Sequence, residues 1–234
     1  DGSINPVRDK EVIDTELQLK DLDSVEKKLS RVRNIAKAGV DKEAKKAFEV
    51  LSIYKEHLEA GKSARSLRMK EEDKIHAEDL MLLTAKPVLY LCNVDEKSVK
   101  TGNKYVDAVK ESVKAENAEV LFLAAALEAE IAQLESYEDK KMFLQDAGLE
   151  EAGVNKLIKS AYKLLNLYTY FTAGVKEVRA WTITKGMTAP QAAGVIHTDF
   201  EKGFIRAEVI KYNDYIMYGS ESACRDAGRL AQEG

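Results

Sequence analysis

Apolar residues recur at steps of three and four from Glu11 to about Glu59, the period of an amphipathic helix. Leu19, Leu22, Val25, Leu29, Val32 and Ala36 make one stripe, and Ala44, Ala47, Phe48, Leu51, Tyr54 and Leu58 make a second. The interruption is KAGVDK, where Gly39 is expected to take a left-handed cap and Asp41 to cap the following helix. Stripes joined by so short a turn are buried against each other, which predicts an antiparallel helical hairpin over 11–70. A further helix is expected from Glu71 to Leu83, and residues 1–10 read as a loop.

The period then changes. Pro87 to Cys92 and Val120 to Leu123 are short, continuous, β-rich apolar runs, and Ser98 to Lys114 between them carries Val106, Val109 and Val113 at helical spacing. Strand, helix, strand at this length predicts a crossover unit with parallel strands. Helix returns over Glu128 to Leu144 and Val154 to Leu167. Beyond Asn166, Val175 to Ile183 and Ile205 to Ile210 alternate as half-buried strands, with a helix over Ala189 to Phe200 that has Pro190 in its first turn. The expected organisation is thus α/β over 71–166 and α+β over 167–234.

With 234 residues, 45% hydrophobic and 32% charged, the chain has the composition of a folded globular protein rather than a disordered one. No run approaches the roughly 18 to 20 apolar residues of a membrane span, and no secretory leader opens the sequence, so a membrane partner is not expected. Cys92 and Cys224 lie far apart and outside any metal-ligand spacing, which fits a reducing cytoplasm and no metal centre. His57, His76 and His197 likewise show no ligand spacing and read as structural, with an interaction role as the alternative for His197. A formal charge of −4 confines any nucleic-acid surface to a local patch, without DNA specificity. Lys27, Lys28, Arg31, Arg33, Lys37, Lys42, Lys45 and Lys46 supply such a patch near the hairpin tip, against Asp41 and Glu43, and Lys62, Arg65, Arg68 and Lys70 form a second basic segment.

In KPVLYLCNVDEK, Asn93 follows the first strand and Glu96 comes three residues later. Ligands in open α/β sheets sit beyond the carboxyl ends of parallel strands. A side-chain amide donates and accepts at once, as a purine edge requires, and a carboxylate further along the turn can read a second position. Asn and Asp are also ordinary turn formers after a strand, so the residues alone leave both readings open. The second strand ends in LAAALEAE, whose small residues leave room for a base.

Five strings together, KPVLYLCNVDE, LAAALEAEIAQLE, FLQDAGLEEAGVNKLI, NLYTYFTAGVKEVRAWTI and TAPQAAGVIHTDFEKGFIRAEVI, with INPVRDKEVIDTELQLKDLDSVEK near the start, resemble the Obg-like ATPase family, the YchF group of P-loop NTPases. The resemblance covers essentially the whole chain. It implies the later half of a P-loop NTPase domain (71–166, with 1–10 from the same domain), the hairpin inserted in it, and an incomplete TGS-type β-grasp domain over 167–234. It also implies that Asn-x-x-Glu replaces the Asn-Lys-x-Asp of ordinary GTPases. Asn93 and Glu96 then take the two fixed positions, Val94 lies by the base, and Ala125, Ala126 and Leu127 form the following base-side loop. Guanine offers N1–H and N2–H₂ donors that a well-placed Asp accepts and adenine lacks, so the swap relaxes guanine selectivity towards a moderate preference for ATP.

The sequence departs from the family in one respect. GxxxxGK[ST] is absent; GKSARSL at Gly61 lacks the preceding glycine and follows a helix rather than a strand. By resemblance the phosphate loop, both switch segments and the catalytic histidine loop precede Asp1, and a final β-grasp strand is lacking. No catalytic residue is therefore expected within 1–234, and Mg²⁺ is expected only with a complete phosphate site. The function implied is that of a ribosome-associated, purine-nucleotide-binding ATPase, with GTP as a second substrate, that couples nucleotide state to contact with the ribosome or its RNA. The alternative is a nucleotide-independent RNA- or protein-binding module built from the hairpin and the β-grasp domain.

Overall fold

The computed structural model describes residues 2–37, 41–116 and 118–234, which form two compact units, residues 1–161 and 162–234. The expected cap at Gly39 lies outside the described residues.

The first unit opens with helix α1 (Pro6–Lys37), followed by α2 (Lys42–Glu59). Residues 6–10 are therefore helical rather than loop. Asn5 Oδ1 accepts from the Arg8 N–H at 3.1 Å and Pro6 occupies the first turn, where its missing donor costs nothing. Asp41 caps α2 as expected, its carboxylate accepting from the Ala44 N–H at 3.0 Å. The two helices run antiparallel: Gln18 Nε2 donates to Ser63 Oγ (3.4 Å), and Lys55 pairs with Glu26 further along. Between them Val25, Val50, Leu51, Tyr54 and Leu58 are buried with Ala64, Ala77 and Leu82. Each fully buried aliphatic side chain contributes about 1.5–3 kcal/mol.

Asp21 is 2% exposed and ties α1 to the segment that leads into the sheet. Its carboxylate accepts from the Leu83 and Thr84 N–H groups and from the Thr84 hydroxyl, each at 2.7 Å, while Thr84 Oγ1 accepts from the Ala64 N–H at 2.9 Å. This buried carboxyl group is fully hydrogen-bonded, as burial requires. The helix expected over Glu71 to Leu83 stops early, as α3 (Glu71–Glu78), and Leu83–Ala85 is a separate 3₁₀ turn capped by Asp21.

Strand β1 (Leu89–Asn93), helix α4 (Lys104–Ser112) and strand β2 (Glu119–Leu123) give the expected parallel crossover, with Asn93 opposite Leu123. Helix α4 starts later than the apolar spacing suggests, because Gly102 sits at φ +75° and Asn103 Oδ1 restarts the helix by accepting from the Tyr105 and Val106 N–H groups. The single helix expected over Glu128 to Leu144 is two, α5 (Ala125–Gln133) and α6 (Tyr137–Asp146), because Ser136 Oγ accepts from the Asp139 N–H at 2.9 Å and begins a new one. Leu127 and Ile131 are buried with Ala124 against Phe143, Leu144 and Leu149. Helix α7 (Gly153–Leu164) closes the unit and continues past its boundary.

In the second unit, β3 (Leu167–Ala173) pairs antiparallel with β4 (Val178–Thr184). Sequence spacing gave no sign of β3 and placed Val175 in a strand. Val175 instead lies fully exposed in the connecting turn, and Leu167 is in β3 rather than in the preceding helix. Tyr170 donates its hydroxyl to the Ala192 carbonyl (2.9 Å), fixing α8 (Ala189–Ile196) to the sheet, and Trp181 Nε1 donates to Thr172 Oγ1 (2.9 Å). A short helix α9 (Thr198–Lys202) leads to β5 (Ala207–Ile210), and α10 (Tyr212–Tyr218) and α11 (Glu221–Asp226) lead to β6 (Leu230–Glu233), antiparallel to β5.

Candidate nucleotide-base site

The parallel register brings the end of β1 beside the end of β2. Val94 donates its N–H to the Leu123 carbonyl (2.9 Å), and Asn93 Oδ1 accepts from the Ala125 N–H (3.0 Å). Ala125 is the first residue of α5, and Ala124, at the cap position, has no side-chain acceptor to offer. Asn93 thus caps that helix from the neighbouring strand. The acceptor end of its amide is engaged, and Nδ2 has no hydrogen-bond partner among the described residues.

Ala125, Ala126 and Leu127 form the first turn of a helix rather than a loop. First-turn N–H groups have no intrahelical acceptor, so those of Ala126 and Leu127 remain as donors. The Ala125 and Ala126 side chains are exposed, whereas that of Leu127 is buried in the core and offers only its backbone. Glu96 is exposed in a 3₁₀ turn, Glu96–Ser98, whose start is fixed by Asp95 accepting from the Ser98 N–H (2.9 Å). Ser98 Oγ in turn accepts from Asn103 Nδ2 (3.4 Å), the residue that caps α4. Asp95, Ser98 and Asn103 were missed as supporting residues, although the Asp-x-x-Ser spacing is an Asx-turn signal.

An open cavity of about 730 Å³ runs from Asn93, Val94 and Asp95 along β1 to Ile13 and Leu17 of α1. Neither Glu96 nor residues 125–127 line it. Cys92 does, and burial pushes its thiol pKa up. At the other end of β1, Tyr90 donates to Glu116 (3.0 Å), which also pairs with Lys10 (2.9 Å) and Arg65 (2.8 Å). Burial pushes the Glu116 carboxyl up, but bonds from Arg65, Lys10 and Tyr90 outweigh it and hold it below the ordinary carboxylate value. Lys10 is raised despite its burial, through Asp14 and Glu116.

The rings of His57 and His197 have hydrogen-bond partners, and His76 is engaged through its backbone carbonyl. His57 Nε2 meets the Ser63 carbonyl (3.2 Å) and Ser66 Oγ (2.8 Å), the His76 carbonyl accepts from Lys28, and His197 Nδ1 accepts from the Asp199 N–H (3.2 Å). Among the described residues, no three His, Cys, Asp or Glu side chains are placed to hold a metal ion. No described helix is long and apolar enough to cross a membrane. The eight hairpin cations divide into two groups. Lys27 pairs with Asp23, Lys28 with Asp79 and Lys46 with Asp73, whereas Arg31, Arg33, Lys37, Lys42 and Lys45 are exposed and have no ion-pair partner among the described residues.

Residues 167–234 match the YchF-GTPase_C family model, described as a protein of unknown function. All of the chain aligns with the "Ribosome-binding ATPase YchF" of Bacillus subtilis (strain 168) at 48% identity and of Escherichia coli O157:H7 at 49%, covering 64% and 63% of those proteins. It aligns with "Obg-like ATPase 1" of Rattus norvegicus at 40%, covering 60%. A solved structure of the Schizosaccharomyces pombe YchF GTPase superposes with a TM-score of 0.88 at 34% identity, over 100% of this chain and 64% of that one. The chain belongs to the YchF/Obg-like family. Its α/β architecture is that of the YchF structure, and it spans less than two thirds of the length of the family members it matches. Asn93 and Ala125 thus bridge two strand ends within a YchF-type fold, across 32 positions of sequence.

Proposed function

We propose that the protein is a ribosome-associated, purine-nucleotide-binding ATPase, with GTP as a second substrate, and that residues 1–234 contribute its base-reading half and its ribosome contacts. The observation that carries this is Asn93: one end of its amide is fixed by the Ala125 N–H and the other is free beside the exposed Ala125 and Ala126. The free Nδ2 donates to a purine ring nitrogen present in both adenine and guanine, while Val94 and the first turn of α5 flank the base and Glu96 reads its far edge. Because Asn93 meets a feature common to both bases, selectivity rests on Glu96, and a moderate preference for ATP follows. In this reading the middle of the chain is the later half of a P-loop domain, the α1–α2 hairpin is an insertion, and the last unit is a TGS-type β-grasp domain. ATP and Mg²⁺ bind with a phosphate site, for which residues 1–234 contain no GxxxxGK[ST]. Arg31, Arg33, Lys37, Lys42 and Lys45 meet ribosomal RNA in the cytoplasm, because their charges have no ion-pair partner among the described residues.

The relatives' names, "Ribosome-binding ATPase YchF" among them, support the same reading. The test is cosedimentation of the full-length protein with ribosomes in ATP, in a non-hydrolysable ATP analogue and without nucleotide, alongside phosphate release. ATP turnover and a several-fold change in ribosome affinity between nucleotide states are expected. Ribosome binding that ignores nucleotide, with no turnover, would instead establish the nucleotide-independent binding module.

A further inference from the structure

A cavity of about 540 Å³ lies at the base of the hairpin, between α1 and the loop that follows α2, with Thr15, Gln18, Lys62, Ser63, Ser66 and Arg68 on its walls. Its floor neutralises itself. Lys10 bonds Asp14 (2.7 Å) and Glu116 (2.9 Å), and Arg65 bonds Glu116 (2.8 Å) and the Thr84 carbonyl (3.3 Å). With those pairs cancelled, Lys62 and Arg68 face the exposed Glu11 as the one remaining lining carboxylate, and neither cation has an ion-pair partner among the described residues. Gly61, at φ +69°, turns the chain so that Lys62 and Ser63 face α1. Ser63 Oγ accepts from Gln18 Nε2, which leaves its hydroxyl hydrogen available to a ligand. Among the described residues no aromatic ring lines the cavity, and Gly61 and Ala115 are its only apolar residues, so it offers charge and donors but no surface on which a base could stack.

We infer that this cavity is a second phosphate anchor for structured RNA, with Lys62, Arg68 and the Ser63 hydroxyl receiving backbone phosphodiesters. The inference rests on the ribosome reading above and adds to it a second point of attachment. Thr15 on the cavity wall and Arg33 near the tip are 18 residues apart on α1, which is five full helical turns. They therefore share one side of the helix at a separation of about 27 Å. Cationic clusters at the base and near the tip of one stiff hairpin grip phosphates at two places on a folded RNA, and each raises the effective concentration of the other's ligand.

The test compares K62Q/R68Q with R33Q/K37Q in the full-length protein, read by ribosome cosedimentation and by fluorescence anisotropy of a labelled RNA duplex over a salt series. Neither pair of cations makes an ion pair among the described residues, so thermal melting should match the wild type in both variants. Each double variant is expected to weaken RNA binding several-fold and to reduce the salt slope by up to about 2, one for each lost phosphate contact. If R33Q/K37Q weakens binding and K62Q/R68Q does not, the cavity anchor is wrong and the ribosome reading stands. If neither does, the hairpin reading falls and takes the anchor with it. A loss in K62Q/R68Q confined to inorganic phosphate or free nucleotide, with RNA binding intact, would make the cavity a small-anion site and overturn the proposal.

Discussion

Asn93 has two jobs that a single substitution can separate. Its Oδ1 caps α5 through the Ala125 N–H at 3.0 Å, and its Nδ2 is the group assigned to the purine. Asn93→Asp keeps an acceptor at the cap, and a carboxylate at a helix N-terminus is favourable by about 0.3–1 kcal/mol, so stability should hold or rise slightly. The donor, however, is gone. One neutral hydrogen bond, about 0.5–1.5 kcal/mol, is lost, and the base nitrogen it served now faces another acceptor, at about 1–3 kcal/mol. The combined loss is about 1.5–4.5 kcal/mol, or roughly 10- to 2,000-fold in Kd. Titration calorimetry on the full-length protein with ATP and with GTP measures it, and the loss should be similar for the two because the contacted nitrogen is common to both. Asn93→Ala is the companion: it loses the cap as well, at about 0.5–2 kcal/mol of stability, and the Ala125 amide should exchange faster with solvent. If Asn93→Asp binds both nucleotides within twofold of wild type, Asn93 is a cap and nothing more. A loss for ATP alone would place the base differently against the strand ends.

Two further outcomes concern the frame of the first unit. Asp21→Ala strands the buried Thr84 N–H and hydroxyl and removes the partner of the part-buried Leu83 N–H, so urea unfolding should report a loss of about 2–4 kcal/mol; a loss below about 1 kcal/mol would show that the 3₁₀ turn is held by other contacts. Glu116 is held below its ordinary value, so its contribution to stability is complete above pH 4.5 and disappears as pH falls through the folded value. Lys10 is raised, so its contribution is complete below pH 10.5 and is lost only as pH climbs beyond that. Urea midpoints measured from about pH 3 to pH 7 should therefore fall on the acid side, and less steeply in Glu116→Gln; curves of identical shape would remove Glu116 from the account.

What could be read along the chain depended on the distance over which each interaction acts. The stripes of α1 and α2 were legible because helical burial repeats within four residues, and Asp41 was legible as a cap because its acceptor works three positions away. Strand β3 was not, since Tyr168, Tyr170 and Phe171 are all large and break the alternation that marks a half-buried strand. The Asn93 to Ala125 bond was not legible as a bond at all, for it exists only because β1 and β2 pair in parallel with Asn93 opposite Leu123. The basic tip shows the same limit in its electrostatics. Eight cations against two nearby acids suggested one uniform patch, yet Asp73 and Asp79 belong to the next helix and its cap, and they engage Lys46 and Lys28 across the fold. The charge left for a partner is thus set by tertiary contacts, which neutralise part of the hairpin and leave Arg31, Arg33, Lys37, Lys42 and Lys45 without an ion-pair partner among the described residues. Exposed unpaired cations lose little by changing partner, whereas Lys28, partly buried and bonded to both Asp79 and the His76 carbonyl, would have to give up both. RNA contact at the hairpin tip should therefore be carried by the five cations without an ion-pair partner among the described residues rather than by Lys27, Lys28 and Lys46.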